Sequence, residues 1–303
     1  MKEIIRSGGL ADRFLNNLCK FETVHLRHEL DENWKLTGRI IGRLVSPRER
    51  YTELLENPIS FDETRLMHKF YGGQKDKTLS EVMNEQTETA LQNVYKSVKE
   101  LEALCNEEGI TFDTSSLDLE SLHTTSQLLS IKQTKQIDAS IPHGQQDNLK
   151  NLWRQEMGVD QNVVSAIKGA NIVEQIIDYV TSRPKFKACG LTIKDAFFLD
   201  GIHPLNGKSM SNFDRVNTVL NMLQFVGYYP DKKLHKAQNF KSAFSDILHG
   251  TIATNANFFV THDVNLRRRL AATYEYIGVG PAVCYLDYEK DFQLIIDPKT
   301  ANQ

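Results

Sequence analysis

Cysteine is scarce and scattered in this chain. Its four residues, Cys19, Cys105, Cys189 and Cys284, form no CxxC pair, which speaks against a zinc ribbon or a disulfide framework and fits reduced thiols in a cytosolic compartment. A surplus of basic charge is missing too. The formal net charge is −3, so a nucleic-acid partner would need a local basic patch rather than a global field. The opening stretch MKEIIRSGGLADRF lacks the apolar core of a secretory leader, and no hydrophobic run reaches membrane-spanning length. Internal repeats and low-complexity tracts are absent as well. The expectation is a cytoplasmic protein with no membrane partner.

What is present suits a globular protein with a sizeable core. The 303 residues are 40% hydrophobic and 25% charged, enough for one large or two ordinary domains. FETVHLRHEL alternates like a strand, whereas WKLTGRIIGRLVS spaces Leu36, Ile40, Ile41, Leu44 and Val45 like a helix. From Leu79 to Cys105, apolar residues recur at three- and four-residue steps, with Thr78 or Ser80 to cap the start and Gly109 to end the helix. Residues 1–108 therefore read as a mostly helical extension, with the Leu91–Val94–Val98–Leu101 stripe packing in cis on the remainder and any homodimer using other surfaces.

After Glu108 the pattern changes. Ile110–Phe112 reads as a short strand ending on Asp113, and Ile137, Ala139 and Ile141 alternate like a second strand. DQNVVSAIKGANIVEQIIDYV reads as one helix capped by Asp160. SNFDRVNTVLNMLQFVGYYP reads as another, with Ser211 and Asp214 as a capping box and Gly227 at its end. NFFVT, PAVCYL and FQLII read as closing strands. Strands alternating with helices predict an α/β fold with a mainly parallel, doubly covered sheet over residues 109–303.

In such a sheet the working edge lies at the carboxyl ends of the strands. Asp113 and Asp263 fall at predicted strand ends, and Asp246 is expected at the start of the helix feeding the second of these strands. One such aspartate is ordinarily a turn or cap residue. Three at one edge repel one another unless a cation sits among them, and an oxygen-only set suits Mg²⁺ or Mn²⁺.

FDTSSL and SDILHGTIATNANFFVTHDVNLRRR together resemble the acidic motifs of the PIN-domain nucleases, over roughly Gly109 to Leu286. The resemblance implies a three-layer α/β/α fold, Mg²⁺ or Mn²⁺ as cofactor and hydrolysis of phosphodiesters, in RNA more than in DNA. Asp113 is similar to the family's first acid, Asp246 to its third and Asp263 to its fourth. Ser115 stands where the family often has asparagine. For the second acid Asp147 fits the spacing best, with Glu156 and Glu174 as alternatives, and Asp200 lies in an insertion that can approach the site. The family's bacterial uses suggest a toxin or phage-defence effector with a neutralising protein partner. A catalytically degenerate module that binds nucleic acid or a protein, and a DNA- or flap-directed nuclease, remain alternatives.

The implied chemistry needs no protein nucleophile. One or two metals polarise the phosphate and lower the pKa of a bound water. Asp113, Asp246 and Asp263 are the implied ligands and Asp147 a ligand or water orienter, with Ser245 and Thr261 bonding ligands or phosphate. Arg267 and Arg268, in LRRRL, can meet backbone phosphate, and RPKFK at 183–187 is a second basic stretch. A solvated helix face is an equal reading of the first, and contact with nucleic acid is the lesser reading of the second. His262–Asp263 resembles the dyad of HD phosphohydrolases but follows a strand rather than lying on a helix, and His249 and Cys284 read as packed residues.

Overall fold

The computed structural model describes residues 8–20, 24–30, 36–56, 64–107, 148–188, 192–202, 209–287 and 293–296, with positions 121, 124, 135, 138, 139, 141, 190 and 207. Internal contacts divide the chain into Met1–Ser60 and Phe61–Gln303. That division falls well before Gly109, and the long helix expected near residue 80 belongs to the second unit.

In the first unit, α1 (Ala11–Lys20) precedes β1 (Val24–Leu30), β2 (Leu36–Leu44) and α2 (Pro47–Glu56). The strands pair antiparallel from Val24↔Leu44 to Leu30↔Leu36, with an irregularity between His28 and Leu30. Proline suits the first turn of α2, where its missing N–H has no helical partner. Arg48 of α2 donates to Asp12 at 3.1 Å and to Asn16 at 2.8 Å, tying it to α1. β2 corrects the helix expected from WKLTGRIIGRLVS. Gly38 and Gly42 weaken a helix there, the β-branched Ile40 and Ile41 favour a strand, and VHLRHEL supplies the partner ladder. The spacing of the apolar residues alone does not separate the two.

In the second unit, α3 (Arg65–Phe70) and α4 (Leu79–Glu107) come first. Thr78 and Glu81 form a reciprocal cap at the start of α4, at 2.7 Å and 3.2 Å. The Asp138 carboxylate also accepts from the Leu79 and Ser80 amides, at 3.1 Å and 2.9 Å. Asp138 and Ala139 are helical, so at those positions the strand expected over Ile137–Ile141 is not formed. An acid that satisfies the orphan amides of a helix start is held to that helix, not to a ladder. Leu79, Val82 and Leu91 of α4 are buried, whereas Val94 and Leu101 are exposed among the described residues.

The remaining elements are α5 (Leu149–Met157), α6 (Gln161–Ala166), α7 (Ile172–Thr181), α8 (Pro184–Ala188), α9 (Ile193–Ala196), α10 (Asn212–Val226), α11 (Ala237–Ile252), β3 (Phe258–Thr261), α12 (Val264–Ile277), β4 (Ala282–Asp287) and β5 (Gln293–Ile296). The single helix expected after Asp160 is two helices, α6 and α7. Asp160 does cap the first, accepting from the Asn162 amide at 2.7 Å. Gly169 at φ +103° and Asn171 at φ +53° then turn the chain through the left-handed region, which an α-helix does not tolerate. β3, β4 and β5 form where the sequence predicts strands. β3 pairs with β4 in parallel, and β4 with β5 antiparallel. The described residues are thus largely helical, with an antiparallel strand pair in the first unit and a small three-stranded mixed sheet in the second.

The core is centred on α10. Val216, Val219, Leu220, Met222, Leu223 and Val226 are buried over most of its circumference, as expected of a helix covered on several sides. Each such side chain contributes roughly 1.5–3 kcal/mol by leaving water. The capping box of Ser211 and Asp214 starts the helix, and Gly227 at φ +103° ends it. α11 and α12 approach closely at Gly250, where a Cβ would lie 2.4 Å from Leu270 Cδ2. The Tyr274 hydroxyl donates to the Gly250 carbonyl at the same crossing. Among the described residues, no helix is long and apolar enough to cross a membrane.

Candidate functional site

The chain leaves β3 at Thr261 and enters α12 at Val264, so the two intervening residues stand at the carboxyl end of a parallel strand. Asp263 is the N-cap of α12. Its Oδ1 accepts from the Asn265 amide at 2.7 Å and the Leu266 amide at 2.9 Å. Thr261 Oγ1 accepts from the Asp263 amide at 3.0 Å. The carboxylate is therefore fixed by its own backbone, as an N-cap acid is. Asp263 fits both the cap reading and the strand-edge reading of the sequence.

Asp246 lies deep inside α11 and is half-buried, with Ser245 beside it buried. Its expected place at the start of a helix is thereby corrected. AQNFKSAF contains neither glycine nor proline, so nothing stops the helix from starting at Ala237. Asp113, Ser115 and Asp147 lie outside the described residues. The alternatives for the second acid both engage lysines at the surface: Glu156 pairs with Lys185 at 2.5 Å and Glu174 with Lys194 at 3.3 Å, each acid about half exposed. Asp200 is exposed, and its Oδ1 accepts from the Ile202 amide at 3.2 Å in a local turn. Among the described residues, no group of three or more histidines, cysteines, aspartates or glutamates is placed to hold a metal ion.

The three arginines of LRRRL take three different directions. The Arg267 guanidinium lies 5.1 Å from the ring centre of Tyr285 on β4, and that of Arg268 4.2 Å from the ring centre of Tyr229. Arg269 turns inward and is 1% exposed. It donates to Asp231 Oδ2 at 2.8 Å, to the Tyr229 carbonyl at 3.0 Å and to Gln224 Oε1. Gln224 Oε1 also accepts from the Asp231 amide at 3.1 Å. Gln224 is buried on α10, so one polar side chain from the helical core locks both the arginine and the turn that carries its acid.

Asp231 escaped the sequence reading. Its only signal was the run YYPDKK, a proline turn followed by two lysines. Burial pushes its carboxyl up, Arg269 pulls it down, and the negative charge of Asp263 pushes it up again. The two aspartates are thus within electrostatic reach of each other. Asp231 lines a cleft of about 460 Å³, together with Tyr71, Lys150, Lys232, Lys233 and Asn265. The Asn265 amide is one of the two that hold Asp263, which puts that carboxylate beside the cleft.

Beneath the cleft lies a cluster of partly desolvated charges. Lys150 sits 4.9 Å from the ring centre of Tyr71. Burial holds its ammonium down to about 8, Arg154 adds to the shift and Asp231 opposes it. Burial likewise holds Arg154 down to about 10, against a raising influence from Tyr71. Arg154 donates to the Phe225 carbonyl at 2.8 Å and to Gln161 Oε1 at 2.7 Å. Burial pushes the Tyr71 phenol up. None of Tyr71, Lys150 or Arg154 carries a motif, and only the fold gathers them.

No family model, curated protein or solved structure matches this chain.

Proposed function

We propose that this chain is a metal-dependent nuclease, acting on RNA in preference to DNA, with residues 109–303 completing a three-layer α/β/α domain of the PIN-like kind. The observation that carries the reading is the position of Asp263. Its carboxylate stands at the carboxyl end of a parallel strand, beside a cleft that Lys232 and Lys233 line and within electrostatic reach of Asp231. Acids grouped beside basic side chains suit a divalent cation and a phosphodiester together.

The donor chemistry fits such a cation in part. Asp263 has one oxygen committed to two amides, which leaves Oδ2 to ligate. Asp246 and Asp113 would supply the other ligands, and Asp147 a further ligand or an orienter of water. Because the described residues alone make no group of three acids, the reading requires Asp113 or Asp147. When bound, Mg²⁺ or Mn²⁺ supplies Lewis acidity toward the phosphate and an acidified water. The remaining work falls to this chain. Asp263 needs no reorganisation, because its cap fixes it in advance. Thr261 holds the Asp263 backbone. Lys232 and Lys233 attract the phosphate backbone of the substrate, and Arg267 and Arg268, stacked on Tyr285 and Tyr229, extend the basic surface.

The test is cleavage of single-stranded RNA in Mn²⁺ by the full chain and by Asp263→Asn and Asp246→Asn. Both variants should lose cleavage while remaining folded, and full activity in Asp263→Asn would refute the assignment. A toxin or phage-defence role in the cytoplasm, a neutralising protein partner and a homodimer belong to the same proposal. The capping role of Asp263 Oδ1 favours one second reading, a catalytically silent PIN-like module that binds RNA or a protein. RNA binding without cleavage in any divalent metal would establish that reading.

A further inference from the structure

Among the described residues, the charges beneath the cleft do not balance. Lys150, Arg154 and Arg269 are each less than a tenth exposed. Of the described acids, Asp231 acts on both Lys150 and Arg269, and its carboxylate already accepts from Arg269 at 2.8 Å. Lys150 makes no hydrogen bond among the described residues, and its ammonium lies 4.9 Å from the ring centre of Tyr71. A buried ammonium is costly unless something negative meets it. Beside it, Tyr71 is 4% exposed, and its hydroxyl has no hydrogen-bond partner among the described residues. Both side chains line the cleft.

We propose that this cleft is a nucleotide subsite, in which Lys150 Nζ binds the phosphate of one nucleotide unit. A phosphate offers charged acceptor oxygens that meet an ammonium. The cleft volume of about 460 Å³ lies within the range of small-molecule sites and exceeds what a bare phosphate fills. Asn151 and Asn265 on its walls carry the paired donor and acceptor that a base edge or ribose would use. The subsite rests on the nuclease reading only for its place beside Asp263; the unbalanced charge stands without it.

The experiment is calorimetric titration of the full chain in EDTA, which excludes metal-dependent cleavage. The probes are adenosine 5′-monophosphate, inorganic phosphate, adenosine and a 5′-phosphorylated RNA pentamer. Adenosine 5′-monophosphate should bind more tightly than inorganic phosphate, and adenosine should not bind. Lys150→Met should weaken monophosphate binding at least about tenfold, as loss of a charge-assisted contact does, while Lys150→Arg retains most of it. Equal affinity in Lys150→Met and wild type, or no binding of either phosphate probe, would overturn the subsite. Equal affinity for inorganic phosphate and the monophosphate would overturn the nucleotide assignment. The RNA pentamer should displace the monophosphate, and failure to displace it would overturn the role in seating nucleic acid. Failure of the nuclease reading shows separately, as retained cleavage in Asp263→Asn.

Discussion

The Arg269 guanidinium donates to the Asp231 carboxylate at 2.8 Å, with the arginine 1% exposed. The pair joins α12 to the turn after α10, and Gln224 binds both partners. Breaking one side of a buried ion pair leaves the other charge uncompensated, at a cost of about 3–5 kcal/mol. Arg269→Met should therefore lower the unfolding free energy in urea by that order. Arg269→Met combined with Asp231→Leu should lose less than the sum of the two single changes. Additive losses would show that the pair is not coupled.

Asp263 holds two backbone amides with one oxygen, so its structural and chemical roles separate by substitution. Asparagine is as good an N-cap as aspartate, whereas alanine at such a cap costs about 1 kcal/mol. Asp263→Asn should melt close to wild type and lose cleavage, and Asp263→Ala should lose both cleavage and stability. Thermal melts and a single-turnover RNA assay on the two proteins check this. A large stability loss in Asp263→Asn would mean that the negative charge, not the cap, supports the fold.

Cleavage should require a divalent cation. The proposed ligand set is all oxygen, which suits Mg²⁺ or Mn²⁺. Excess EDTA should abolish RNA cleavage, and Mn²⁺ added back should restore it. Cleavage that persists in EDTA would exclude the mechanism.

Lys150 should make stability depend on pH on the alkaline side. Burial, then Arg154, holds its folded value down to about 8, against an ordinary value of 10.5. Between those two values the unfolded chain binds more protons than the folded chain, so stability rises with pH through this window. The slope is at most about 1.4 kcal/mol per pH unit. Below pH 8 the buried charge is destabilising, so Lys150→Met should be more stable than wild type at pH 7, with the difference shrinking toward pH 10. Urea melts at four pH values measure it, and a constant difference would show that Lys150 is not desolvated.

How much could be read in advance depended on how local each signal was. The capping box of Ser211 and Asp214, the cap at Asp160 and the strands NFFVT, PAVCYL and FQLII are short-range patterns, and each element formed at its expected place. At β2 the apolar spacing fits a helix, while Gly38, Gly42, the β-branched Ile40 and Ile41 and the partner strand favour the ladder. The break at Gly169–Asn171 rests on two left-handed residues, and a lone glycine inside a helical pattern does not by itself mark a break.

Sequence alone determined that Asp263 ends a strand and opens a helix, because an acid before an apolar helical run has its hydrogen-bond partners two and three residues away. Tertiary structure decided what surrounds it. Asp231, Lys150, Tyr71 and Arg269 come from a turn, a helix start, a helix end and the third arginine of a basic run, and nothing in their local sequence relates them. They meet because α10 is buried nearly all round and carries Gln224 into the core. The buried Gln224 oxygen requires donors there, and Arg269 and the Asp231 amide supply them. That requirement acts across 45 residues, from Gln224 to Arg269, and no pattern of neighbours can express it.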